Sequence, residues 1–198
     1  MKTKKFHRRG KGRKTKLLYI AMQITTIFIL SGSATATVVY DDGGEHVIDF
    51  TINDDVVVKN SITDDITKMQ FVNNGEINGG LYSIDESEII ISGGDLNGSI
   101  YADDNSIVKI YGGTIGHMIF ANYYSSIYIY GYDFQIDGLP VDYGELDISG
   151  GRLTGTLFYG HYIDNSLDIS STASVTLVPE PSTFILLAIG GLFLRKRK

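Results

Sequence analysis

The chain has 198 residues, with 17 Lys or Arg, 23 Asp or Glu and no Cys. Its charges are separated: residues 1–16 hold nine basic residues, whereas all 23 acids lie between Asp41 and Glu180 among only four basic residues. This acidic part carries a formal charge of −19, which argues against nucleic acids and anionic polymers as partners. Without Cys, no disulfide stabilises it.

The first 36 residues have the three-part pattern of a secretory signal peptide. The basic residues 1–16 are followed by the mostly apolar residues 17–30 and then by small residues that end in Ala34-Thr35-Ala36. This order predicts export and cleavage by signal peptidase after Ala36. An uncleaved membrane anchor is the alternative, but small residues stand where cleavage requires them.

The C-terminal residues 178–198 combine a Pro-Glu-Pro motif, a short apolar stretch and a basic end. Residues 184–194 are all apolar or Gly, and residues 195–198 are four consecutive cations. A helix over residues 183–194 is about 18 Å long, which is shorter than the roughly 20 residues that cross a bilayer comfortably. The cations resist translocation and stay cytoplasmic. This tail predicts a weak transmembrane helix, suited to processing; an ordinary single-span anchor is the alternative.

The tail resembles the PEP-CTERM sorting signal of exported bacterial proteins. Pro179, Glu180 and Pro181 form its motif, and Arg195 begins its basic end. The resemblance implies that an exosortase processes the tail while the inner membrane holds it transiently. It further implies cleavage near the motif and release of the remainder to the cell surface or extracellular matrix.

A 19-residue repeat dominates the region between the two signals, which is the size of one domain. The segment Ile91-Ser-Gly-Gly-Asp-Leu96 has counterparts that begin at Ile110, Ile129 and Ile148, and Val72 fits one step earlier. Apolar residues alternate with polar ones before each Gly-rich turn, which predicts strands with one buried face.

Short strands in register at a fixed period predict an all-β, single-domain parallel β-solenoid, or β-helix, with coils of about 19 residues. A β-sandwich is the alternative, but it would not keep this register. The predicted boundaries are 1–36 for the signal peptide, 37–71 for an N-terminal capping region, 72–178 for the repeats and 179–198 for the sorting signal.

Aromatic residues recur at outward positions of the predicted coils. Exposed aromatic stripes stack on sugar rings, whereas cross-strand packing on a flat sheet is the alternative reason for such residues. The candidates to face a glycan are Tyr82, Tyr101, Phe120, Tyr128, Tyr130 and Phe158.

Acidic residues at the coil corners are the candidates for carboxylate chemistry. Glycoside hydrolysis requires a carboxylate pair, for which Asp103-Asp104, Asp142, Glu145 and Asp147 are available. Acids occur at most predicted corners, however, which is typical of solvated turns. No His, Cys or Asp cluster has metal-site spacing and no nucleotide motif occurs. The sequence therefore predicts no catalytic residue, no metal and no cofactor.

These features favour a non-enzymatic protein of the cell surface or biofilm matrix, associated with exopolysaccharide. A secreted β-helix polysaccharide lyase or glycoside hydrolase is one alternative, although a lyase needs cations beside its uronate substrate. An adhesin or self-assembling surface module is another. Signal peptidase and an exosortase are the predicted processing partners.

Both terminal segments are expected to be absent from the exported protein. Intact-mass measurement of exported material should give a chain that starts at Thr37 and lacks residues 195–198. A full-length, membrane-integral form in cells that contain both processing enzymes would contradict this prediction.

Overall fold

The computed structural model describes residues 36–180, which form strands and turns without a helix. The predicted signal peptide up to residue 35 and the tail from Pro181, with Arg195, lie outside the described residues. The predicted all-β class is confirmed. All 17 strands join one sheet, which is mixed rather than wholly parallel.

The strands are short until the middle of the chain. The first nine are β1 Thr37–Tyr40, β2 Glu45–Ile48, β3 Thr51–Ile52, β4 Asp55–Val58, β5 Lys68–Phe71, β6 Glu76–Ile77, β7 Leu81–Ser83, β8 Glu88–Leu96 and β9 Ile100–Ala102. The remaining eight are β10 Ile107–Ile115, β11 Met118–Ala121, β12 Ser126–Ile136, β13 Leu139–Pro140, β14 Gly144–Glu145, β15 Gly150–Leu157, β16 Tyr162–Ile169 and β17 Ser174–Pro179.

Parallel pairing arranges most strands in two long rows. The first row runs β1, β4, β7, β9, β11 and β16. The second row runs β2, β5, β8, β10, β12 and β17. A shorter row joins β3 and β6 to the C-terminal halves of β8 and β10. Within a row, neighbouring strands lie about 4.8 Å apart.

The 19-residue spacing is confirmed in the middle of both rows. Ile91 pairs with Ile110, and Ile110 pairs with Ile129. In the first row, Leu81 pairs with Ile100. All of these side chains are buried, because alternate residues of each strand point into the core.

The spacing is longer near the N-terminus, and this corrects the position assigned to Val72. Phe71, not Val72, pairs with Ile91, because Glu76 lies five positions after Phe71 whereas its partner Asp95 lies four positions after Ile91. A shift of one residue turns a side chain to the other face of a strand. Phe71 is therefore fully buried and Val72 is half-buried. Strands β1 to β5 of the predicted capping region 37–71 join the same rows as the later strands.

The recurrence at Ile148 does not stack on Ile129, and this part of the prediction is wrong. Leu177 of β17 pairs with Ile129 instead. Asp137 and Gly138, both with positive φ, form a two-residue hairpin turn that reverses the chain after β12. Strand β15 then pairs antiparallel with β12 and β16, and β14 pairs antiparallel with β17.

Buried serines form the corners that precede the strands of the second row. Ser87, Ser106 and Ser125 are buried, and each follows a two-residue turn whose first residue has positive φ. The Ser87 hydroxyl donates to the Val58 carbonyl at 3.0 Å and accepts the Ile84 N–H at 3.1 Å. These backbone groups are buried where water cannot reach them. The serine hydroxyl therefore supplies the hydrogen bonds that they require.

Replacing Ile110 with Asp should prevent folding, because it places an unpaired charge between two stacked strands at a cost of several kcal/mol. Lys109→Gln is the matched control one position away. Lys109 is only half-buried and pairs with Glu88 at 2.6 Å, so its loss should cost about 1 kcal/mol or less. Denaturant unfolding of the exported variants measures both effects. Equal unfolding midpoints would show that the assigned strand face is wrong.

Candidate functional site

Three stacked rings lie on the outer side of the first row. Tyr82, Tyr101 and Phe120 are the outward residues of β7, β9 and β11, and their backbones pair directly. The ring centroids are 4.5 and 4.7 Å apart, and the planes differ by 4° and 2°. These three of the predicted outward aromatics therefore form a column of half-buried rings, whereas Phe158 contacts Tyr111 and Tyr159 instead. We call the three stacked residues the aromatic ladder.

The stacking in the aromatic ladder limits what it offers to a ligand. Sugar rings pack on the face of an aromatic ring, but both faces of Tyr101 are covered by Tyr82 and Phe120. Burial raises the pKa of the Tyr82 hydroxyl, with a smaller contribution from the Asp55 charge, so this hydroxyl stays protonated. Tyr101 thus presents mainly its ring edge and hydroxyl, and the stacking of the three rings stabilises the row.

A second aromatic group lies beside the second row. Tyr111 and Tyr130 stack with centroids 4.1 Å apart, and Phe158 approaches Tyr111 edge-on at 6.5 Å. Phe158 in turn makes a T-shaped contact with Tyr159 at 4.9 Å. Of the predicted glycan-facing residues, the structure thus brings Tyr130 and Phe158 together. It places Tyr128 in the same strand as Tyr130, paired with Lys109.

The turn between β15 and β16 carries part of this group and is fixed by backbone hydrogen bonds. The N–H groups of Phe158 and Tyr159 donate to the carbonyls of Tyr130 and Tyr111, at 2.9 and 3.0 Å. Within the turn, the Leu157 N–H donates to the His161 carbonyl at 2.7 Å. The turn is therefore held against β10 and β12, at the side of the second row.

An open cleft of about 500 Å³ lies between this turn and the Gly-rich segments of earlier strands. Its lining residues, which define the Tyr159 cleft, are Val72, Asn73, Ser92, Tyr159 and His161. None of the five is Asp, Glu, Lys or Arg. They were not predicted as a site from the sequence. The antiparallel segment departs from the 19-residue repeat. The periodicity of the sequence therefore does not predict that its turn lies beside Asn73 and Ser92.

The acidic residues form separate shallow sites. One cleft of about 530 Å³ is lined by Asn60, Ser61, Asp64, Asp85, Glu86, Asp104 and Asn105. Glu145 and Asp147 line another, of about 330 Å³, while Asp142 is exposed. Within residues 36–180, no group of three or more His, Asp or Glu side chains is arranged to hold a metal ion.

Every basic side chain of the described region is paired with a carboxylate. Glu88 contacts Lys109 at 2.6 Å and Lys68 at 4.0 Å, and the hydrogen bond from Lys109 raises the pKa of that ammonium group. Arg152 forms two hydrogen bonds to Asp164, and Lys59 lies 3.6 Å from Asp41. These cations are therefore engaged by the protein's own acids.

The predicted processing residues lie at the ends of this region. Ala36 is exposed directly before β1, and Pro179 is the last residue of β17, followed by Glu180. A search of residues 36–180 finds no helix with the length and apolar character of a membrane span. The apolar residues 184–194 fall outside that range.

The C-terminal segment identifies how the protein is sorted. Residues 177–198 match the family model described as the PEP-CTERM protein-sorting motif. The chain is thus a PEP-CTERM protein: an exported protein that an exosortase sorts through the membrane toward the cell surface. Comparison with curated proteins finds no match, and comparison with solved structures finds none.

Proposed function

We propose that this is a non-enzymatic protein of the cell surface or extracellular matrix that associates with neutral exopolysaccharide. The sorting motif at residues 177–198 is the observation that carries the proposal, because it delivers the domain to the place where such polymers accumulate. The remaining support comes from the repeat architecture and from the charges of the domain.

The parallel rows support a β-solenoid as the architecture, with residues 132–165 as an antiparallel excursion from it. Like side chains stack between successive coils, as in the aromatic ladder. Asn53, Asn78 and Asn97 form a second stack, in which each amide donates to the preceding one at 2.9 and 2.6 Å. Repeated contacts between neighbouring coils are the main source of stability in solenoids, and they create long, regular outer faces.

The distribution of charge favours a neutral glycan over a uronate polymer. The acidic region has a formal charge of −19, and its four basic side chains are paired with carboxylates. An anionic polymer would meet repulsion without a free cation to offset it. The lack of a free cation among residues 36–180 also disfavours the lyase alternative. The acids at the corners are explained by their positions in turns, without a catalytic role.

A self-assembling module is the second candidate, supported by the N-terminal end of the rows. Within the described region, β1, β2 and β3 each pair with one other strand. Val39, Val47 and Phe50 are about half exposed beside this edge. An open strand edge can pair with another chain, although the nearby acids Glu45 and Asp49 oppose such pairing.

Electrophoresis of the exported protein in gels that contain polysaccharide tests the proposal. Neutral polymers such as β-glucan and galactomannan should slow the protein relative to a polymer-free gel, whereas alginate should not. Incubation should release neither reducing ends nor unsaturated uronate. Equal mobility in every gel would refute glycan association, and released sugar would favour the enzyme. Sedimentation as large assemblies without polymer would favour the self-assembling module.

A further inference from the structure

We propose that the Tyr159 cleft binds one ring of a neutral saccharide, with Tyr159 as the stacking surface and His161, Asn73 and Ser92 as hydrogen-bonding groups. This proposal rests on the glycan association proposed above and names the site responsible for it. The site differs from the aromatic ladder in geometry, in polar groups and in position along the chain.

Tyr159 exposes more of its ring than the residues of the aromatic ladder. It is 56% exposed, whereas the ladder rings are half-buried and each stacks on at least one other ring. Its one ring contact among residues 36–180 is the T-shaped contact with Phe158, so at least one of its faces is free of aromatic neighbours. A free tyrosine face beside polar groups suits the C–H surface of a sugar ring.

His161 is oriented by its contact with β10. Its Nδ1 atom is buried and makes no hydrogen bond. A Cβ atom added at Gly112 would lie 3.1 Å from this Nδ1, so the imidazole packs directly against the glycine. A buried N–H without an acceptor is more costly than an unused lone pair, which favours the tautomer with its proton on Nε2. That N–H is then available to donate to a sugar hydroxyl.

The other polar groups of the cleft complete an uncharged binding surface. The Ser92 hydroxyl donates to the Phe71 carbonyl at 3.3 Å, which leaves its lone pairs to accept from a ligand. The Asn73 amide offers both donors and an acceptor. Since no Asp, Glu, Lys or Arg lines the cleft, its chemistry matches hydroxyl groups rather than an ionic ligand.

The backbone holds this surface in place before any ligand arrives. Four hydrogen bonds of 2.7 to 3.0 Å fix the turn from Leu157 to His161, and two of them reach Tyr111 and Tyr130. Gly160 has a φ of +83°, which a glycine adopts without strain and which closes the turn. A preordered site avoids the entropic cost of fixing a loop on binding. The cleft volume of about 500 Å³ accommodates one ring of a polymer that runs along the outside.

Binding of soluble neutral β-glucan and galactomannan to the exported protein and its variants tests this site. Tyr159→Ala should weaken binding about five- to tenfold by removing the stacking surface. His161→Ala should weaken it about threefold or more by removing one donor. Tyr124→Ala is the matched control, because this tyrosine is 69% exposed at a corner away from the cleft, and its affinity should equal that of the wild type.

NMR of the wild-type protein supplies a readout that does not depend on how well the variants fold. The imidazole C–H signals of His161 should shift as the neutral polymer is added. Unchanged His161 signals, with binding intact, would overturn the cleft proposal and leave the proposed function standing. So would a loss of affinity in Tyr82→Ala but not in Tyr159→Ala. No binding of either polymer by the wild type would refute the proposed function and this site with it.

Discussion

The parallel register between successive strands is the constraint on which the rest of the structure depends. Strands within a row lie about 4.8 Å apart, so each residue is placed directly over its counterpart in the next strand. Ile91, Ile110 and Ile129 consequently form one buried column. The same register stacks the outward rings of the aromatic ladder and links Asn53, Asn78 and Asn97 through their amides. The same distance between strands therefore orders the side chains of the core and those of the surface.

This spacing also decides which aromatic residues are open to a ligand. Planar rings that are repeated at every strand stack on one another, and their faces become part of the fold. Tyr159 does not belong to such a stack, because it lies in a turn outside the parallel rows. The departure from the repeat therefore places an exposed ring beside uncharged polar groups, while the sorting motif, which begins within β17, directs the protein toward the cell surface.

The period of 19 residues was sufficient to predict the buried face of β8, β10 and β12 and the existence of the aromatic ladder. It failed where the number of residues between strands changes, as between Phe71 and Glu76, because one extra residue exchanges the two faces of a strand. It failed again at Asp137-Gly138, a dipeptide typical of hairpins that lies within the 19-residue step from Ile129 to Ile148. The Tyr159 cleft follows from that hairpin, so the repeat alone did not predict it.

The most direct test of this account is the set of side-chain contacts made by Ile129. Methyl NOE measurements on the exported protein, labelled at Ile and Leu, distinguish the two possible neighbours. The structure predicts cross-peaks from Ile129 to Ile110 on one side and to Leu177 on the other. A cross-peak from Ile129 to Ile148, with none to Leu177, would contradict it. That result would restore an uninterrupted 19-residue stack and remove the hairpin on which the Tyr159 cleft depends.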